Sequence, residues 1–181
     1  MIALVPALGA SGATASPADV WTKLHRPLHV ARIAAGTPCP VSRVTGNLTT
    51  IGYTGPMFGR GPAYPAGLSE NGRPVLRYQD PEPPDSLWSG SDWHGNKVLW
   101  IVKLGYDAHV LLRGRQLDGP NEVRFGGSLV PNRELRIRPG GSPTTNRPSF
   151  VRVRSAGCYG IQVDGTTFSY VLVFEAKPVG A

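Results

Sequence analysis

Between Lys97 and Phe125 the chain carries its densest apolar run, KVLWIVKLGYDAHVLLRGRQLDGPNEVRF, broken only by two turn signals. Val98, Trp100, Val102 and Leu104 alternate with Leu99 and Ile101, so both faces of the first segment are apolar. A strand buried on both sides reads this way, whereas a half-exposed one alternates cleanly. Gly105-Tyr106-Asp107 reverses the chain into a second strand over residues 108–113. Asp118-Gly119-Pro120-Asn121 then turns it into a third over residues 122–125. These three predict the central meander of a β-sandwich. Four more strands are predicted over residues 134–138, 150–154, 158–164 and 167–175, with Asp164-Gly165 marking a hairpin between the last two. Seven short strands spaced by turn clusters predict an all-β, immunoglobulin-like antiparallel β-sandwich whose core strands occupy residues 97–176.

The preceding part, residues 16–96, is punctuated by Gly and Pro every few positions and predicts long ordered loops laid over the same domain. At most one or two short helical turns fit within it. Ser16-Pro17-Ala18-Asp19 has the order of a helix start, with Ser as cap, Pro at the first helical position and an acid two residues on. Arg26-Pro27 stops that helix, because the residue before Pro avoids the α region. Residues 48–53 and 74–78 read as edge strands, where Pro is tolerated. Residues 1–15, apolar and small and ending Ala13-Thr14-Ala15, read as the remnant of a secretory signal peptide. That run is too short for a membrane span, and no later segment is long enough for one. The tail, residues 177–181, is predicted to fray.

Composition sharpens this in two ways. Gly (23) and Pro (18) without a period, beside 40% hydrophobic residues, fit a turn-rich globular β domain and exclude collagen. The formal net charge is +7, and its basic side is 15 Arg against 4 Lys, a skew that fits anion binding through guanidinium groups or a GC-rich genome. Cys39 and Cys158 are the two cysteines, and in an exported chain an even pair reads as a disulfide.

The candidate chemistry lies in an arginine band, nine Arg between 113 and 154. Arg113/Arg115, Arg136/Arg138 and Arg152/Arg154 are i, i+2 pairs on predicted strands, so each pair shares a face while Leu135/Ile137 and Val151/Val153 turn to the core. Stacked side by side, these six would form an anion-binding face with bidentate geometry. The alternative is a solvated outer face whose Arg stems cover apolar neighbours. Trp88 and Trp93, with His94, are candidates for stacking on a sugar ring, or else cover one end of the core. His25 and His29 have helical i, i+4 spacing, but Pro27 between them and the lack of a third ligand leave no metal site. No G-x-S-x-G elbow, P-loop, H-E-x-x-H or calcium loop is present, and nothing calls for a cofactor. Asn47-Leu48-Thr49 is a glycosylation sequon.

The stretch from Lys97 to Phe125, together with GCYGIQVDGTTFSYVLVF, resembles a group of uncharacterised secreted or lipoprotein-like β-domain proteins of high-GC bacteria. The resemblance spans residues 27–176 and implies an exported β domain without implying an activity. Lipid-anchored members have a Cys just after the leader; none stands there here. The expectation is a secreted or cell-surface, non-catalytic binding or adhesion module for an anionic polysaccharide or other cell-surface polymer. Nucleic acid is disfavoured as partner by the absence of a recognition motif. The alternatives are a secreted hydrolase with a loop-built site near Trp93 and His94, and a structural subunit joined through strand edges.

Overall fold

The computed structural model describes residues 17–140 and 145–179. The leader expected at residues 1–15 lies outside them. The described chain is mostly β, with one short helix, α1 (Pro17–Leu24). Its Asp19 and Lys23 pair at 2.7 Å across one turn. Trp21 and Leu24 on its other side are buried against Leu111, and the helix stops two residues short of Arg26-Pro27.

Eleven strands follow among the described residues. β1 (Val44–Asn47) and β2 (Pro56–Phe58) form a separate hairpin. Between them residues 48–51 wind into a 3-10 turn where an edge strand was predicted. Asn47 explains the difference: its side chain accepts the Thr49 amide at 2.9 Å and caps the turn. β3 (Ala63–Ala66), β4 (Val75–Tyr78), β5 (His94–Val102), β6 (Val110–Gln116), β7 (Glu122–Phe125) and β8 (Leu135–Ile137) come next. β9 (Thr145–Val153), β10 (Gly157–Gly165) and β11 (Ser169–Pro178) complete the chain, so Lys177 and Pro178 of the supposed tail are in a strand.

The strands join into one sheet in the order β3–β5–β9–β7–β6–β10–β11–β4, with β8 also on β6. All neighbours are antiparallel except β11 and β4. This corrects two expectations. β5 and β6 are consecutive but unpaired: β5 lies between β3 and β9, so the meander begins only at β6. Nor is there a clear sandwich of two sheets. β7 prevents it by changing partners midway, its first two residues pairing with Arg115 and Gly114 of β6 and its last two with Arg152 and Val151 of β9. A strand shared in this way bends one sheet around a corner. The far end of the sheet curls back: the Asn96 side-chain amide on β5 donates to the Arg77 carbonyl on β4 at 3.1 Å, and Tyr78 stacks on His94 with ring centroids 5.3 Å apart. The result is a curled half-barrel.

Alternation places the core inside the curl. Trp100, Val110, Leu112, Phe125, Ile137, Val151, Val153, Tyr159, Ile161 and Phe174 all belong to one buried cluster. β10 is buried on its other face as well. There the extended segment 25–43 crosses the outside of β6, β10 and β11 like a strap. The His29 amide donates to Gln162 Oε1 at 2.7 Å, and Gln162 Nε2 returns a bond to the Pro27 carbonyl at 3.0 Å. Ile33 N donates to the Leu117 carbonyl, and Ser42 N to that of Val173. Gly160 makes this approach possible, since a Cβ there would lie 2.6 Å from Val30 Cγ1. The Cys39–Cys158 disulfide, expected from the sequence, closes the strap onto β10.

Candidate functional site

The in–out alternation of the arginine band holds. On β6 and β8, Arg113, Arg115 and Arg136 share the outer face: Arg136 pairs with Leu111, two residues from Arg113. What lies over that face determines how each is used. Arg113 donates to the Arg26 carbonyl at 2.6 Å and to Asp164 Oδ2 at 3.0 Å, and touches His25 Nδ1 at 3.2 Å. Arg115 donates to the carbonyl of Val30. Both therefore grip the strap. Arg136 is exposed, bonded to Glu134 at 2.6 Å and lying over the Trp21 ring; Arg138 is exposed.

Arg152, on β9 under the loop that precedes β5, and Arg154, exposed just past the end of β9, stand apart. Arg152 is fully buried (0% exposed), donates to the carbonyls of Trp93, Gly126 and Ser128, and sits 3.8 Å over Trp88. Burial lowers its pKa to about 10, with Glu82 acting the other way. Arg154 and Arg124 both lie over the Trp93 ring. Trp88 and Trp93 are thus buried covers of this end of the sheet, the alternative weighed against sugar stacking. His94 reaches toward two carboxylates, Nδ1 at 3.7 Å from Glu82 and Nε2 at 4.0 Å from Asp80. Beside it, burial and then Asp80 push the Tyr78 phenol up to about 12. His25 and His29 lie beyond the end of α1, and His25 turns Nε2 to Glu134 at 3.3 Å.

The open cavity lies where the wall of the curl is incomplete. β7 is four residues long, and the first half of β9 has β5 as a neighbour on one side and, among the described residues, no strand on the other. Between that half of β9 and β8 a cleft of about 700 Å³ opens, lined by Arg113, Arg133, Arg136 and Arg147 with Glu122 and Glu134. Arg147 and Glu134 are shared with a smaller recess of about 240 Å³ reaching Lys97 and Phe150. Arg136 and His25 are shared with another recess at Trp21, so both recesses adjoin the cleft, which is the main part of the groove.

Its charge is unbalanced. Glu122 is held by Arg124 at 2.6 Å and Glu134 by Arg136, while Arg133 and Arg147 are exposed with no carboxylate partner among the described residues. Arg147 pairs with Trp100, a core residue, and so stands on the face of β9 that elsewhere points inward. Arg133 and Arg147 belong to the band but to none of its i, i+2 pairs, and the spacing rule passed over them. Arg147 was nonetheless readable as a charge on core parity with Val151 and Val153, a signal that the wall ends there.

Among the described residues no group of three or more His, Cys, Asp or Glu gathers to hold a metal, and no helix is long and apolar enough to cross a membrane. No family model matches the chain, and no curated protein or solved structure does so either.

Proposed function

We propose that the protein is a non-catalytic extracellular binding or adhesion module whose groove beside β8 takes an anionic polymer, a polysaccharide bearing carboxylate, phosphate or sulfate groups. The observation that carries this reading is the pair Arg133 and Arg147, exposed in a cleft of about 700 Å³ without carboxylate partners. A guanidinium offers a planar fork that matches such oxyanions two bonds at a time. Arg136 lines the groove but is paired with Glu134, whereas Arg113, Arg115 and Arg152 hold the strap and loops that shape the surface. Export is supported by the disulfide, which persists in oxidising compartments.

Retention on a sulfated-polysaccharide resin tests the reading. Wild-type protein should stay bound at moderate salt, and Arg133→Ala with Arg147→Ala should elute at clearly lower salt. Elution of the wild type at low salt would remove the proposal. The rival hydrolase reading rests on His94 between Asp80 and Glu82. Glycosidase or esterase turnover abolished by His94→Ala would favour it instead.

A further inference from the structure

A second cavity lies away from the groove, between the β1–β2 hairpin and the start of β11. It has a volume of about 430 Å³ and is lined by Ser42, Arg43, Thr45, Arg60, Ser169 and Tyr170, among others. Its construction anchors the backbone next to both arginines. Ser42 is pinned to the edge of β11 by two bonds with Val173, amide to carbonyl and amide to hydroxyl, each 2.9 Å. Arg43 is the next residue. Thr45 donates to the Gly59 carbonyl at 2.7 Å and ties the far side of the hairpin in place. Gly59 itself has φ +89°, and a Cβ there would fall 2.3 Å from the Tyr170 ring, so only glycine lets the chain pass over that ring and deliver Arg60. Tyr170 is buried and bonded through its hydroxyl to Ala63, giving the cavity a rigid wall.

The polar groups divide into two kinds. Arg43 and Arg60 are exposed, no carboxylate lines the cavity, and neither has an ion-pair partner among the described residues. Their N–H groups are donors awaiting an oxyanion. The hydroxyls offer the reverse. Thr45 spends its proton on Gly59, and Ser169 spends its own on Asp164 at 2.6 Å, so both present lone pairs that accept. Two cations beside hydroxyl acceptors match an anion carried on a hydroxyl-rich body better than a bare anion. The volume falls in the range of small-molecule sites.

We infer that this cavity binds a phosphate or sulfate monoester of a sugar, with Arg43 and Arg60 on the ester group and the hydroxyl oxygens of Thr45 and Ser169 on the sugar. The site does not depend on the groove, and the two readings can fail separately.

Isothermal titration with glucose 6-phosphate, glucose 6-sulfate, inorganic phosphate and glucose tests it, using wild type, Arg43→Ala/Arg60→Ala, and Arg133→Ala/Arg147→Ala. Saturable binding of the esters is expected, at least ten-fold tighter than inorganic phosphate, with glucose silent. It should weaken at least ten-fold in the first variant and persist in the second. Preference between the two esters tells which group the site takes. Arg43→Lys/Arg60→Lys, which keeps the charge and loses the fork, should fall between. Absence of saturable binding by wild type, or binding indifferent to Arg43 and Arg60, overturns the site. Equal affinity for inorganic phosphate overturns the sugar component. Unchanged far-ultraviolet dichroism shows that the variants fold.

Discussion

Asp164 is wholly buried, and four groups converge on it. Arg113 donates at 3.0 Å, Gln162 at 2.9 Å and Ser169 at 2.6 Å, while Arg26 stands at 3.4 Å. In the sequence Asp164-Gly165 reads as a turn, and the hairpin is there. The burial of Asp164 was illegible, because Arg113 and Arg26 arrive from 51 and 138 residues away. Removing the carboxylate strands a partly buried guanidinium, so Asp164→Ala should cost about 3–5 kcal/mol in denaturant unfolding. Asp164→Asn, which keeps one acceptor, should cost less. The same scale sets the alkaline limit. Burial raises the phenols of Tyr78, Tyr159 and Tyr170 above their ordinary value of 10, Tyr78 to about 12. Between pH 10 and 12 the unfolded chain sheds these protons while the fold keeps them, so their contribution is full below pH 10 and falls as pH rises. Arg152, lowered to about 10, works the other way, since the fold loses its proton first, but it is one group against three. Stability should decline from about pH 10 to 12, with phenolate absorbance rising together with loss of near-ultraviolet dichroism. Phenolate appearing in full before unfolding would contradict the burial of these rings.

At the scale of elements, strands β5 to β11 were legible because apolar patterning fixes strand existence and facing whatever the partner. Pairing was less so, and the strap least of all. Segment 25–43 carries apolar residues, Leu28, Val30 and Ile33 among them, without a sustained alternation, and is held by groups later in the chain: Arg113, Arg115, Gln162 and the carbonyl of Leu117. Only Cys39 announced the connection, through its parity with Cys158. The two kinds of attachment can be separated. The disulfide spans 119 residues and, on the chain-entropy account, contributes roughly 4–5 kcal/mol by restricting the unfolded state. Cys39→Ser with Cys158→Ser should therefore lower unfolding free energy by about 2–5 kcal/mol. The polar contacts should still hold the strap, leaving native amide protection of His29, Ile33 and Val173, whose N–H groups bond across it, in place. If that protection vanishes with the bond, the disulfide and not the arginine contacts seats the strap.

For the molecule as a whole, the difference between a sandwich and a curled half-barrel comes down to β7, whose four residues face β6 at one end and β9 at the other. Periodicity is silent on such a change of partner, since it alters no side chain's facing. Yet the change creates the groove, by leaving the first half of β9 without a second neighbour and bringing Arg147 to the rim opposite β8. A chain of net charge +7 would be retained by any polyanion to some degree, so retention alone does not locate the binding surface. A charge-matched pair of variants does. Arg133→Ala/Arg147→Ala and Arg32→Ala/Arg73→Ala each remove two exposed cations, the second pair lying outside the groove. If overall charge governs, both elute from a sulfated-polysaccharide column at the same reduced salt. If the groove governs, only the first shifts strongly, and the slope of log affinity against log salt falls by about one for each cation that had met an anionic group. The first variant should not change unfolding free energy by more than about 0.5 kcal/mol, as both side chains are on the surface. The second also gives up the Arg32 bond to the Gly119 carbonyl at 2.9 Å and the Arg73–Glu175 pair at 4.0 Å, and should cost slightly more. Equal shifts in elution would leave the gap in the wall as a feature of the fold alone.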